Sequence, residues 1–125
     1  MPTILVVDDE KLFRDRVCEY LQGLGASVKT ACDGLEALKL IKEEAPDLVL
    51  SDINMPGLDG IKLGWALKRN PATRRAVLVY LTASSRPDHV LEGVNLGARH
   101  FIAKPIDREQ LLAKLRPILS ALQRR

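Results

Sequence analysis

The chain has 125 residues, a formal net charge of +3, and hydrophobic residues make up 46% of it. That length fits one domain over residues 1–125, and that apolar content fills an ordinary core. No stretch approaches the ~20 apolar residues that span a bilayer, and no basic start followed by an apolar run marks a signal peptide, so a soluble cytoplasmic protein is expected.

"TILVV" (3–7) is short, apolar and β-branched, which predicts a strand buried on both faces. "LFRDRVCEYLQGL" follows as a helix with Phe13, Val17, Leu21 and Leu24 on one face and Gly25 placed to cap its end. "SVKTA" (27–31) is a weaker strand. In "DGLEALKLIKEEAP", Asp33 and Glu36 have the spacing of a capping pair, and Pro46 falls just past the helix.

"DLVLSD" (47–52) is a third strand, and "DGIKLGWALKR" (59–69) a helix stopped by Asn70–Pro71. "AVLVYLT" (76–82) is the fourth strand, "RPDHVLEGVNL" a helix, and "HFIA" (100–103) the fifth strand. In the last helix, "DREQLLAKLRPILSALQ", Asp107 and Gln110 form a capping pair, and Leu111, Leu115, Ile118 and Leu122 line one face. Pro117 sits inside it, at a cost of ~3 kcal/mol, so a kink or a break and restart is expected there. Strict alternation of strands and helices predicts an α/β domain with a parallel sheet.

Two features carry little. Cys18 and Cys32 form no CxxC pair and read as small packing residues. Lys68, Arg69, Arg74 and Arg75 form one basic cluster, and Arg124 and Arg125 another. No helix-turn-helix, zinc or aromatic RNA motif accompanies them, so they read as solvated charge, and direct nucleic-acid binding is not expected.

Ligands of open parallel sheets bind beyond the carboxyl ends of the strands. Strand one ends in Asp8 and Asp9, strand three in Asp52, strand four in Thr82 and strand five in Lys104. A lone acid after a strand is an ordinary helix cap. Reactive groups after four of five strands are a much stronger pattern. Three carboxylates without a histidine or cysteine ligand suit a hard cation, Mg²⁺ or else Mn²⁺. A carboxylate is also a nucleophile toward phosphorus, with a hydroxyl and an ammonium to hold the phosphoryl oxygens.

The pieces "VVDDE" (6–10), "LVLSDINMPGLDG" (48–60), "LTA" (81–83) and "GARHFIAKPI" (97–106) together resemble the response regulator receiver domains, the CheY-like family, over essentially the whole chain. The resemblance implies a flavodoxin-like, doubly wound (βα)5 fold with strand order 2-1-3-4-5. It implies Asp52 as phosphoacceptor in a two-component phosphorelay, taking a phosphoryl group from a sensor histidine kinase or a histidine phosphotransfer domain. Asp9 and Asp52 would bind Mg²⁺ through side chains, Asn54 through its backbone carbonyl, and Asp8 largely through water. Thr82 would hydrogen-bond the phosphoryl group, Lys104 would pair with it, and the Lys104–Pro105 peptide would be cis.

Phe101 stands at the family's switch aromatic, although aromatic strand residues are as often core. Thr82 and Phe101 would change the surface of the fourth helix, fifth strand and fifth helix, where His89, Glu92, Arg99, Phe101 and Lys114 would face an unknown downstream protein. Catalysis would extend only to the domain's own phosphorylation and dephosphorylation, in a monomer or weak dimer. Arg99, His100, Trp65 and Pro117 depart from the family's habits without touching that chemistry. Two rivals remain, an interaction module that works without phosphate and a haloacid-dehalogenase-type phosphatase. The latter places its aspartyl nucleophile in a DxD pattern after strand one, where this chain has "DDE".

Overall fold

A computed structural model describes residues 1–82 and 100–123 of the chain. The helix expected at 86–96, with His89 and Glu92, lies outside the described residues, as do Arg99, Arg124 and Arg125. The order is β1 (Thr3–Val7), α1 (Lys11–Leu21), β2 (Ser27–Ala31), α2 (Gly34–Glu43), β3 (Leu48–Ser51), α3 (Gly60–Arg69), β4 (Val77–Thr82), β5 (His100–Ala103) and a C-terminal helix (Arg108–Gln123).

All neighbouring strands pair in parallel, in the order β2-β1-β3-β4-β5. The doubly wound sheet expected from the resemblance is the sheet observed. Its central strands are buried on both faces, which is why they read as continuous apolar runs rather than as alternation. One core layer joins Leu5, Val7, Val49 and Tyr80 to α2 and α3, through Ala37, Ile41, Leu63 and Leu67. The other joins Ile4, Val6, Leu50 and Val79 to α1 and the C-terminal helix, through Val17, Leu21, Leu111 and Leu115. Among the described residues, no helix is long and apolar enough to cross a membrane.

Local rules hold at most helix ends. The Asp33 carboxylate accepts the Glu36 N–H at 2.8 Å, Asp59 accepts from Lys62 at 2.8 Å, and Asp107 accepts from Gln110 at 3.1 Å. The end of α1 differs from expectation. The helix stops at Leu21, so Gly23, with φ +86°, follows its cap, and Gly25, also left-handed at φ +73°, lies in the loop beyond. Leu24 still packs on the core, from beyond the helix.

The C-terminal helix runs through Pro117 without a break and restart. Pro117 and Ala113, whose carbonyl loses its partner, are both exposed, so water can serve that carbonyl while the inner face stays packed. That face also includes Leu112 and Leu119, with Ile118 and Leu122 only partly buried. Cys32 is a further correction. It is exposed, with its Sγ 3.4 Å from the Glu36 carboxylate, and so is not a packing residue. Trp65, in the middle of α3, is exposed, and Arg69 lies 5.6 Å from its ring centroid.

Candidate functional site

Parallel pairing brings the carboxyl ends of β1, β3 and β5 to one edge of the sheet. Asp8 follows β1, Asp52 follows β3 and Lys104 follows β5. Lys104 Nζ reaches both acids, at 2.8 Å from Asp8 Oδ2 and 3.1 Å from Asp52 Oδ2. Asp8 is 1% exposed and Asp52 is 8% exposed, whereas Asp9 faces solvent. The three carboxylates each offer an oxygen, and those oxygens lie within 4.8 Å of one another. The Lys104–Pro105 peptide is cis, as expected.

Two acids share one ammonium in a partly dry site, and the electrostatics reflect it. Burial pushes the Asp52 carboxyl above the ordinary aspartate range. Lys104 pulls it down by charge and by hydrogen bond, and Asp8 adds to the rise. Burial alone would lower the Lys104 ammonium, but the Asp8 and Asp52 carboxylates together outweigh it and hold it above the ordinary lysine range. Lys104 therefore keeps its proton, and the Asp52 carboxylate depends on that ammonium to offset its burial.

Neighbouring residues set this geometry. Asp8 Oδ1 accepts the Glu10 N–H at 2.8 Å, so both of its oxygens are engaged. The Arg14 guanidinium donates to the Asp8 backbone carbonyl at 2.6 Å and ties α1 to the turn. Lys104 Nζ lies 4.1 Å from the centre of the Phe13 ring, a cation–π contact that holds the ammonium from a third side. Sequence reasoning placed Phe13 in the core and gave Arg14 no role. Their only sequence signal was position, one and a half turns or less after the acid pair.

Behind Asp52 the backbone is clamped. The Asp52 N–H donates to Val7 O at 3.0 Å and the Gly60 N–H to Ile53 O at 2.8 Å, while buried Tyr80 donates its hydroxyl to Gly60 O at 2.7 Å. A Cβ on Gly60 would overlap the Asp52 carbonyl oxygen, so glycine is required by close approach. Asn54 is exposed and donates its N–H to Asp52 Oδ1 at 3.3 Å. The β4 backbone brings Thr82 into register with Ala103, one residue before Lys104. Phe101 is partly buried, with its ring centroid 5.7 Å from that of Tyr80. It also borders a cavity of about 460 Å³ with Gln110, Ala113 and Lys114.

An oxygen-only donor set with residual negative charge and one solvent-facing member fits a hard divalent cation better than a soft one. The family model of the response regulator receiver domain matches residues 4–116. The chain belongs to the receiver domain family. Its relatives include a probable chemotaxis protein CheY of Rhizobium etli, 35% identical over 96% of this chain and 94% of that protein. The phosphate regulon transcriptional regulatory protein PhoB of Pseudomonas aeruginosa is 35% identical over 94% of this chain. The receiver chain spans about half the length of several curated relatives it matches, 51% in the case of PhoB. Among solved structures, the chemotaxis response regulator CheY4 of Vibrio cholerae superposes with a TM-score of 0.86 at 33% identity, covering 94% of this chain and 98% of that one. Receivers act in two-component systems, where phosphorylation by a histidine kinase is typical and Mg²⁺ is the usual cofactor.

Proposed function

We propose that this receiver is a phosphorylation switch whose acceptor is Asp52. The observation that carries the reading is the Lys104 ammonium bridging Asp8 and Asp52 beside Asp9. Asp9 and Asp52 would hold Mg²⁺ with their side chains, Asn54 with its backbone carbonyl, and Asp8 through water, since both Asp8 oxygens already have donors. Bound there, the ion supplies charge neutralisation for the incoming phosphoryl group and the carboxylates.

An Asp52 oxygen attacks the phosphorus of a phosphohistidine. The P–N bond breaks, the imidazole nitrogen leaves with the electron pair and takes a proton, and an acyl phosphate forms on Asp52. Lys104 stays protonated and moves its hydrogen bond from the Asp52 carboxylate to a phosphoryl oxygen. Thr82 donates its hydroxyl to another. The added charge, about −1.5 to −2, draws Thr82 inward and lets Phe101 turn with it. That movement reshapes the groove between Phe101 and Lys114, where a downstream protein docks.

A sensor histidine kinase or histidine phosphotransfer domain is the donor, in the cytoplasm. The domain spans 1–125, acts as a monomer or weak dimer without contacting nucleic acid directly, and catalyses only its own phosphorylation and dephosphorylation. Incubation with acetyl phosphate and Mg²⁺ tests the acceptor. Intact mass should show one phosphoryl group, released by hydroxylamine, and Asp52→Asn should take none. Full labelling of that variant would place the acceptor elsewhere.

A further inference from the structure

The opposite edge of the sheet, at the amino ends of β4 and β5, holds a cavity of about 370 Å³. It lies between the α3–β4 connection and the last turns of the C-terminal helix. Lys68, Arg74 and Arg75 stand on one side of it and His100 on its rim, while Val77, Ile118 and Leu122 form an apolar wall. No aspartate or glutamate is among the described lining residues. Asp47 borders a neighbouring cavity that shares Leu122, and its carboxylate is engaged by the Thr3 N–H at 2.8 Å.

These cations were read from sequence as solvated charge, and the helix dipole accounts for one of them. Lys68 lies in the last turn of α3, where a cation is favoured. It does not account for Arg74, which lies beyond the helix. The connection that carries it is locked: Thr73 is buried, and its hydroxyl donates to Leu67 O at 2.7 Å. Arg74 N–H donates to Asn70 O at 2.9 Å, Ala76 N–H to Thr73 O at 3.0 Å, and Val77 N–H to Asp47 O at 2.9 Å. Neither Lys68 nor Arg74 ion-pairs with a described acid. Lys68 and Arg74 put like charge on one concavity, and an anion between them relieves their repulsion. Two cations favour a dianion over a monoanion. The planar arginine fork matches a phosphate, and the cavity's size suits a small molecule with an apolar part for the wall.

We propose that this cavity binds a small phosphate monoester, with the phosphate between Lys68 and Arg74 and an apolar group against Val77, Ile118 and Leu122. The site is separate from Asp52 and works without Mg²⁺.

Amide chemical shifts of the full chain in EDTA test it, with phenyl phosphate, inorganic phosphate and benzoate titrated in turn. Phenyl phosphate should shift the amides of residues 68, 73–78, 100 and 118–122, and bind about tenfold tighter than phosphate, which lacks the ring, or benzoate, which lacks the dianion. Lys68→Gln and Arg74→Gln alter exposed side chains and should fold normally, yet each should weaken phenyl phosphate about tenfold. Asp52→Asn should bind it as wild type does, which separates this site from the phosphoacceptor. Equal binding of phenyl phosphate and phosphate, shifts centred on residues 8–9 and 52–54, or unchanged affinity in both Gln variants would each overturn the proposal.

Discussion

Lys104→Met removes the ammonium that Asp8 and Asp52 share and keeps an unbranched apolar stem against Phe13. The side chains concerned are 16%, 2% and 10% exposed for Lys104, Asp8 and Asp52. Removing one partner of a buried ion pair costs about 3–5 kcal/mol, because the charge left behind is uncompensated. Lys104 retains some contact with water, and Asp52 can escape by taking a proton, so the lower end applies: about 3 kcal/mol at neutral pH without metal. Unfolding entropy of about 2.1 cal/mol/K per residue gives roughly 0.26 kcal/mol/K for a chain of this length, so the melting temperature should fall by about 11 °C.

The pH dependence has a definite sign. The Asp52 carboxyl already sits above its ordinary value through burial, with Lys104 opposing the rise. Without Lys104 it rises further. A carboxyl with a folded-state pKa above its unfolded value binds more protons when folded, so stability increases as pH falls through the folded value. The deficit of Lys104→Met relative to wild type should therefore shrink from pH 8 to pH 5. Mg²⁺ should restore part of it at pH 8. Thermal and urea unfolding in EDTA, at both pH values and with added Mg²⁺, would measure this. Equal stability at pH 8, or a deficit that grows on acidification, refutes the picture of two acids depending on one ammonium.

Asp9→Ala should abolish Mg²⁺ binding while leaving the Lys104 bridge in place; a metal titration that gives wild-type affinity removes Asp9 from the seat. Gly60→Ala forces the loop after β3 away from the α3 start and should cost about 1–3 kcal/mol by overpacking, read as a lower urea midpoint together with slower acetyl phosphate labelling. Thr82→Ala should still accept a phosphoryl group at Asp52 yet lose the amide shifts that beryllofluoride induces over residues 100–116. Wild-type shifts in that variant would take Thr82 out of the switch.

Much of the molecule follows from local pattern. Strand runs such as "TILVV" and "DLVLSD" are apolar because both sheet faces are covered, and that shows in any short window. Asp33 and Asp107 cap their helices through partners three residues away, which is spacing rather than folding. The convergence of Asp8, Asp9, Asp52 and Lys104 was also legible, because parallel strands send their carboxyl ends to one edge. Pro117 misled in one respect. Local rules see a missing hydrogen bond, but the buried Leu111, Leu115 and Leu119 face holds the helix continuous.

Tertiary structure decided who touches whom. Lys104 meets Asp52 across 52 positions and Asp8 across 96, and only the stagger of β1, β3 and β5 sets whether one ammonium spans both acids. Asp8 and Asp9 are chemically identical neighbours, yet one is buried and the other exposed, because successive residues at a strand end point to different sides. Arg14 and Phe13 reach the site through the rotation of α1 about its own axis. Lys68 and Arg74 became the walls of a cavity only when the C-terminal helix packed beside them. Periodicity in the sequence records which face of an element is apolar; the angle and offset at which two such faces dock depend on how both sets of side chains interlock, and no single stretch of the chain carries that.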